Sequence, residues 1–130
     1  YEKSIKRHCG RIGAIEVFLS GPGLEKWYEF STGVKKNSKE IVELFRGGEE
    51  EAIGIMDKYF ERTAKAFSTF INILDPDVIV LGGGMSDIDE IYDVIPKKII
   101  PYIASDTFLT PISKAKHGSA SGVRGAAHLW

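Results

Sequence analysis

Four consecutive apolar residues, Val78-Ile79-Val80-Leu81, run directly into Gly82-Gly83-Gly84. A β-branched run of this length without polar interruption is expected for a strand covered on both faces, as in a parallel sheet. Upstream, between Glu49 and Leu74, Ala52, Met56, Tyr59, Phe60, Thr63, Ala64, Phe67, Phe70, Ile71 and Leu74 recur at three- and four-residue steps, the spacing of one helix face. Glu49, Glu50 and Glu51 stand at its N-terminal end, where the helix dipole favours negative charge. Gly54 near the start costs about 1 kcal/mol. Asp75-Pro76-Asp77 breaks the helix before the strand.

Ahead of the long helix, Ala14, Ile15, Val17, Phe18 and Leu19 predict a short helix. It is expected to stop at Ser20-Gly21-Pro22-Gly23, because proline cannot continue it and glycine permits a left-handed exit. Leu24, Trp27, Tyr28 and Phe30 predict an aromatic helical face. Asn37 or Ser38 suits the cap of a further helix, with Ile41, Val42, Leu44 and Phe45 inward and Gly47-Gly48 at its end. Beyond the glycine triplet, Ser86 or Asp87 is placed to cap a helix through Ile88, Ile91, Tyr92, Val94 and Ile95, limited by Pro96 and Pro101. Pro111 to Ala115 alternates like a second strand, and Ser119 to Trp130 turns helical through Val123, Ala126, Ala127 and Leu129. Helix, strand, glycine turn, helix, strand, helix predicts an α/β layer with parallel strands. Two strands are too few for an independent sheet, so a larger body is expected around them.

Seventeen Lys+Arg against 18 Asp+Glu leave a formal charge of −1. Phosphate-backbone attraction is not favoured at that balance, so no direct nucleic acid partner is expected. No apolar run approaches the length that spans a bilayer. The single cysteine, Cys9, makes no internal disulfide and agrees with a reducing cytoplasm. At 130 residues the chain fits one domain or a piece of one, and its opening on Tyr1 rather than Met reads as a fragment or processed product.

Three stretches invite a chemical reading. Gly82-Gly83-Gly84 lets the backbone approach a ligand closely and exposes N–H groups where a strand hands over to a helix. Ligands gather at the carboxyl ends of parallel strands, so nucleotide contact competes here with a plain tight turn. The spacing matches neither the Walker A loop nor the dinucleotide fingerprint. In Cys9-Gly10-Arg11-Ile12-Gly13-Ala14-Ile15-Glu16, Glu16 either complements a helix dipole or accepts hydrogen bonds from sugar hydroxyls. Cys9 beside His8 lacks the second pair of ligands that zinc requires. Lys114, Lys116 and His117 read as exposed bases at a strand edge, followed by a helix packed through small residues.

Taken together, Cys9-Gly-x-x-Gly13-x-x-Glu16, Ser20-Gly21-Pro22-Gly23, Leu74 through Gly84 and Gly122-Val-Arg-Gly-Ala-Ala127 resemble the ROK family of sugar kinases and sugar-responsive repressors. The later stretches look most like bacterial fructokinases of that family. The resemblance implies the C-terminal lobe of an actin-like ATPase (ribonuclease H-like) fold, helix-rich with a few parallel strands. It implies transfer of the γ-phosphoryl of Mg-ATP to a hexose, with fructose the first expectation, in a cytoplasmic homodimer. By the same resemblance Glu16 matches the sugar-binding carboxylate, and Gly82, Gly83, Gly84 and Met85 match the loop against the nucleotide. Pro22 matches the adenine side.

Two departures from the family pattern matter. Arg7 and Ala14 stand where the family's zinc motif has cysteines, so no zinc is expected. The catalytic aspartate and first phosphate loop belong to an N-terminal lobe absent from these residues, which predicts that the 130 residues alone are inert. The competing readings are the sensing lobe of a ROK-type repressor and a non-catalytic dimerisation module.

Overall fold

A computed structural model of the chain describes Gly10 and residues 12–105 and 107–129. The chain divides into two compact units, the first ending at Arg62 and the second beginning at Thr63. Among the described residues no helix is long and apolar enough to cross a membrane.

The first unit is helical: α1 (Ile15–Leu19), α2 (Gly21–Thr32), α3 (Ser38–Arg46) and the opening turns of α4 (Glu50–Leu74). Ser20 does end α1, but Gly21-Pro22-Gly23 is not a left-handed exit. It is the first turn of α2, capped by the Ser20 hydroxyl, which accepts from the Gly23 N–H at 3.2 Å. Proline fits that turn because its missing N–H has no helical partner there anyway. Gly23 meets a steric demand instead, since a Cβ on it would lie 1.9 Å from the Val17 carbonyl oxygen.

Asn37 caps α3 in a reciprocal box with Glu40. The Asn37 Oδ1 accepts the Glu40 N–H at 3.0 Å, and the Glu40 carboxylate accepts the Asn37 N–H at 2.8 Å. The hydrogen bond from Asn37, aided by Lys36, holds the Glu40 carboxyl below its ordinary value of 4.5. Gly47 and Gly48 end the helix as expected, Gly48 with a φ of 85°.

The unit's core gathers Leu24, Trp27 and Tyr28 with Ile41 and Val42, and Met56, Tyr59 and Phe60 of α4 are buried with them. Such aliphatic and aromatic side chains contribute about 1.5–3 kcal/mol each when fully buried. Phe45 meets Phe60 edge-on at 6.0 Å, and the Arg62 guanidinium stacks 4.1 Å from the Trp27 ring. Phe30 departs from the expected face and is 66% exposed. A step of two or three residues from Tyr28 and Trp27 carries it past the edge of the buried stripe.

In the second unit α4 continues from Thr63, burying Ala64, Ser68 and Ile71. Strand β1 (Ile79–Leu81) pairs in parallel with β2 (Ile112–Lys114), in the register Ile79 with Ile112 and Leu81 with Lys114. Between them α5 (Glu90–Ile99) buries Ile91, Ile95 and Ile99 on one face, at helical spacing. Pro96 lies inside α5, which nevertheless runs on to Ile99. Asn72 ties the end of α4 to the loop after α5: its Nδ2 donates to the Tyr102 carbonyl at 2.8 Å, and its Oδ1 accepts the Ala104 N–H at 2.9 Å.

Four expectations for this unit are corrected. Val80 is 58% exposed and Val78 is exposed too, so β1 is covered on one side only among the described residues. At the end of α4, Phe70, Ile73 and Leu74 likewise face outward. Neither Ser86 nor Asp87 caps an α-helix. A four-residue 3₁₀ turn, Gly84–Asp87, opens on the last of the glycines, and α5 begins three residues after it ends, at Glu90. Helix α6 (Ser121–Ala127) buries none of its residues, so its small face is open rather than packed.

Candidate functional site

The glycine triplet occupies the carboxyl end of β1, where ligands collect in parallel sheets. All three glycines are exposed. A Cβ on Gly83 or Gly84 would meet nothing within 4 Å, and one on Gly82 would only touch the Ala115 Cβ at 4.0 Å. Gly83 has φ 85° and ψ 176°, a backbone region open essentially to glycine alone. Among the described residues, no backbone hydrogen bond outside the helices and strands takes its donor from Gly82, Gly83 or Gly84. The turn therefore presents main chain to solvent with space in front of it.

A helix dipole adds little here, because the 3₁₀ turn is only four residues long. What the site offers is close backbone approach and amide donors. Met85, beside the glycines, is half-buried, and its carbonyl accepts the Ile88 N–H at 3.3 Å.

Behind the turn the packing is dense. The buried Ser86 donates its hydroxyl to the Gly83 carbonyl at 2.6 Å, and Tyr92 of α5 donates its hydroxyl to the Ser86 carbonyl at 2.8 Å. Burial raises the Tyr92 phenol above its ordinary value, so it stays a neutral donor across the physiological range. Lys114, at the end of β2, pairs with Asp87 at 3.0 Å and reaches Asp89 at 3.7 Å. The hydrogen bond to Asp87 raises the Lys114 ammonium above its ordinary value. Lys114 is thus a strut between strand and turn rather than a plain exposed base, while Lys116 and His117 are exposed. Gly118, with φ 54°, lets the chain pass close to Asp87.

The other sequence-predicted residues belong to the first unit. Glu16 is the second residue of α1 and is exposed, and its carbonyl accepts the Ser20 N–H at 3.0 Å. Helix α1 is fastened at its far end by the Tyr59 hydroxyl, which donates to the Leu19 carbonyl at 3.1 Å. Pro22 is exposed in the first turn of α2, next to α1. Cys9, on which the zinc question rested, lies outside the described residues. Sequence reasoning missed the roles of Ser86, Tyr92 and the Lys114–Asp87 pair. A serine three residues after a glycine was the available signal, since its hydroxyl reaches back to that carbonyl in tight turns.

The open glycine turn closes a parallel strand in a helix-rich α/β setting, and this fold is shared with ROK kinase structures of the actin-like ATPase class. The ROK hexokinase of Thermus thermophilus superposes with a TM-score of 0.80 at 22% identity, over 98% of this chain and 43% of that one. The ROK family glucokinase of Streptomyces griseus, solved with glucose and AMPPNP, superposes with a TM-score of 0.78 at 22% identity, over 98% of this chain and 50% of that one.

The chain belongs to the ROK family, whose model matches residues 2–130. It is similar to the N-acetyl-D-glucosamine kinase of Pectobacterium atrosepticum, 39% identical over 125 residues, which are 96% of this chain and 41% of that protein. The N-acetyl-D-glucosamine kinase of Vibrio atlanticus is 42% identical over 121 residues, 93% of this chain and 40% of that protein. The chain thus spans about two fifths of the length of these curated relatives.

Proposed function

We propose that these residues form the C-terminal lobe of a ROK sugar kinase that transfers the γ-phosphoryl of Mg-ATP to a hexose. The observation that carries the reading is the unobstructed glycine backbone at the carboxyl end of β1. Phosphoryl transfer is mainly positioning and charge neutralisation, which suits a lobe that supplies backbone contacts rather than a reactive side chain. Gly82, Gly83, Gly84 and Met85 contact the nucleotide, with Pro22 on the adenine side. Glu16 accepts hydrogen bonds from sugar hydroxyls and so orients the acceptor. Magnesium enters with the nucleotide as Mg-ATP. The base that takes the hydroxyl proton comes from the other lobe.

The relatives alter the choice of sugar. They are N-acetyl-D-glucosamine kinases, and nothing among them supports fructose, so the acceptor proposed is N-acetylglucosamine with glucose second. A coupled assay of ADP release from the full-length protein should rank N-acetylglucosamine above glucose and fructose by kcat/KM. The 130 residues alone should show no sugar-dependent turnover. Equal rates with and without sugar in the full-length protein would remove the kinase reading.

A further inference from the structure

Gly83 takes a conformation that glycine reaches freely, and the same backbone freedom leaves the choice among its conformations to its neighbours. Two donors converge on its carbonyl oxygen, the Ser86 hydroxyl at 2.6 Å and the Ser86 N–H at 3.0 Å. Ser86 is in turn held through its own carbonyl by Tyr92 at 2.8 Å, and Tyr92 stands in the first turn of α5, a helix rooted in the core by Ile91 and Ile95. A trans peptide is planar, with its C=O and the next N–H pointing in opposite directions. A Gly83 carbonyl pinned toward the buried Ser86 therefore sends the Gly84 N–H the other way, into the open space in front of the turn.

We propose that Ser86 and Tyr92 are positioning residues for the nucleotide: they anchor the Gly83 carbonyl and thereby aim the Gly84 amide at the bound ligand. The inference rests on the kinase reading of the turn, and it extends that reading from the glycines to side chains that touch no substrate. Neither hydroxyl reacts. Their effect is to spare the bound state the cost of ordering the turn, so it falls on nucleotide affinity and not on the sugar. Lys114 acts beside them through Asp87, bracing the same turn from β2.

The test compares Tyr92→Phe and Ser86→Ala with the unsubstituted full-length protein. Tyr92→Phe removes one hydrogen bond at nearly constant volume, so its fold is retained. Loss of one such bond corresponds to a rise of about fivefold in the KM for Mg-ATP, with kcat and the KM for sugar within about twofold. Ser86→Ala should give the larger rise of the two. In the absence of ligand, hydrogen exchange at the Ser86 and Ile88 amides, which are bonded within the turn, should quicken in both variants while α4 is unchanged.

An equal rise in both KM values, accompanied by a lower melting temperature, would reduce the pair to a structural role and overturn the inference. So would exchange at the turn that is the same in variants and parent. Failure of the unsubstituted protein to turn over ATP would strike the kinase reading itself. The exchange rates decide the anchoring separately from that outcome.

Discussion

Two glycine-bearing turns, one in each unit, look alike in sequence and differ in physics. In Ser20-Gly21-Pro22-Gly23 the space beside Gly23 is filled by the backbone of α1, so close that a Cβ would overlap the Val17 carbonyl. In Gly82-Gly83-Gly84 the space is empty. The first cluster brings one part of the chain against another, whereas the second leaves a gap that the described residues do not fill. Glycine-rich sequence marks both. Only what stands opposite the missing Cβ separates a packing site from a binding site.

Substitutions can break this contrast. Gly23→Ala should be the most damaging: overpacking typically costs about 1–3 kcal/mol, and a clash with backbone belongs at or above the upper end. Denaturant titration followed by tryptophan fluorescence reads it, through the buried Trp27. A loss below 1 kcal/mol would show that α1 moves aside freely. Gly83→Ala meets no neighbour but takes a conformation that costs a non-glycine residue about 1–3 kcal/mol, so a smaller loss of stability should accompany a clear rise in the KM for Mg-ATP.

Asn37→Ala probes the first unit without touching either turn and should cost about 1 kcal/mol by removing a helix cap. The same box has a pH signature. Glu40 is held below its ordinary value, so its contribution is present above that value and fades as pH falls through the lowered one. The penalty of Glu40→Ala should accordingly shrink in acid, whereas Asn37→Ala keeps the backbone N–H that the carboxylate accepts. A Glu40→Ala penalty independent of pH between neutrality and pH 3 would deny the Glu40 share. Gly84→Ala should be mildest for stability, within about 0.5 kcal/mol, because open space receives the methyl. If that methyl leaves the KM for Mg-ATP unchanged as well, the space in front of the turn is not where the nucleotide sits.

Much of this was legible in the residues. The period of Ala52, Met56, Tyr59 and Phe60 reports the buried stripe of α4 directly, and Asn37 with Glu40 is a local signature complete within four positions. The position of β1 was equally plain. Its coverage was not, because Val78 and Val80 are apolar whichever way they face, and what lies over them is a property of distant chain. The same limit applied to Phe30 and to Val123 of α6, apolar residues at plausible positions that end up outside. At the site, the glycines announced themselves. Ser86 read equally well as a helix cap, and only the three-dimensional turn shows its hydroxyl bent back to Gly83.

The parallel pairing of β1 with β2 also has a consequence in time. Parallel neighbours cannot be joined by a tight hairpin, so the ladder closes only after α5 and the loop beyond it have been made and swung back. Helical contacts nearby in the chain form sooner, and long-range strand pairing lags behind them. In a refolding experiment the helical circular dichroism should recover first. Shape at the glycines should return last, as the final act of assembly rather than its seed.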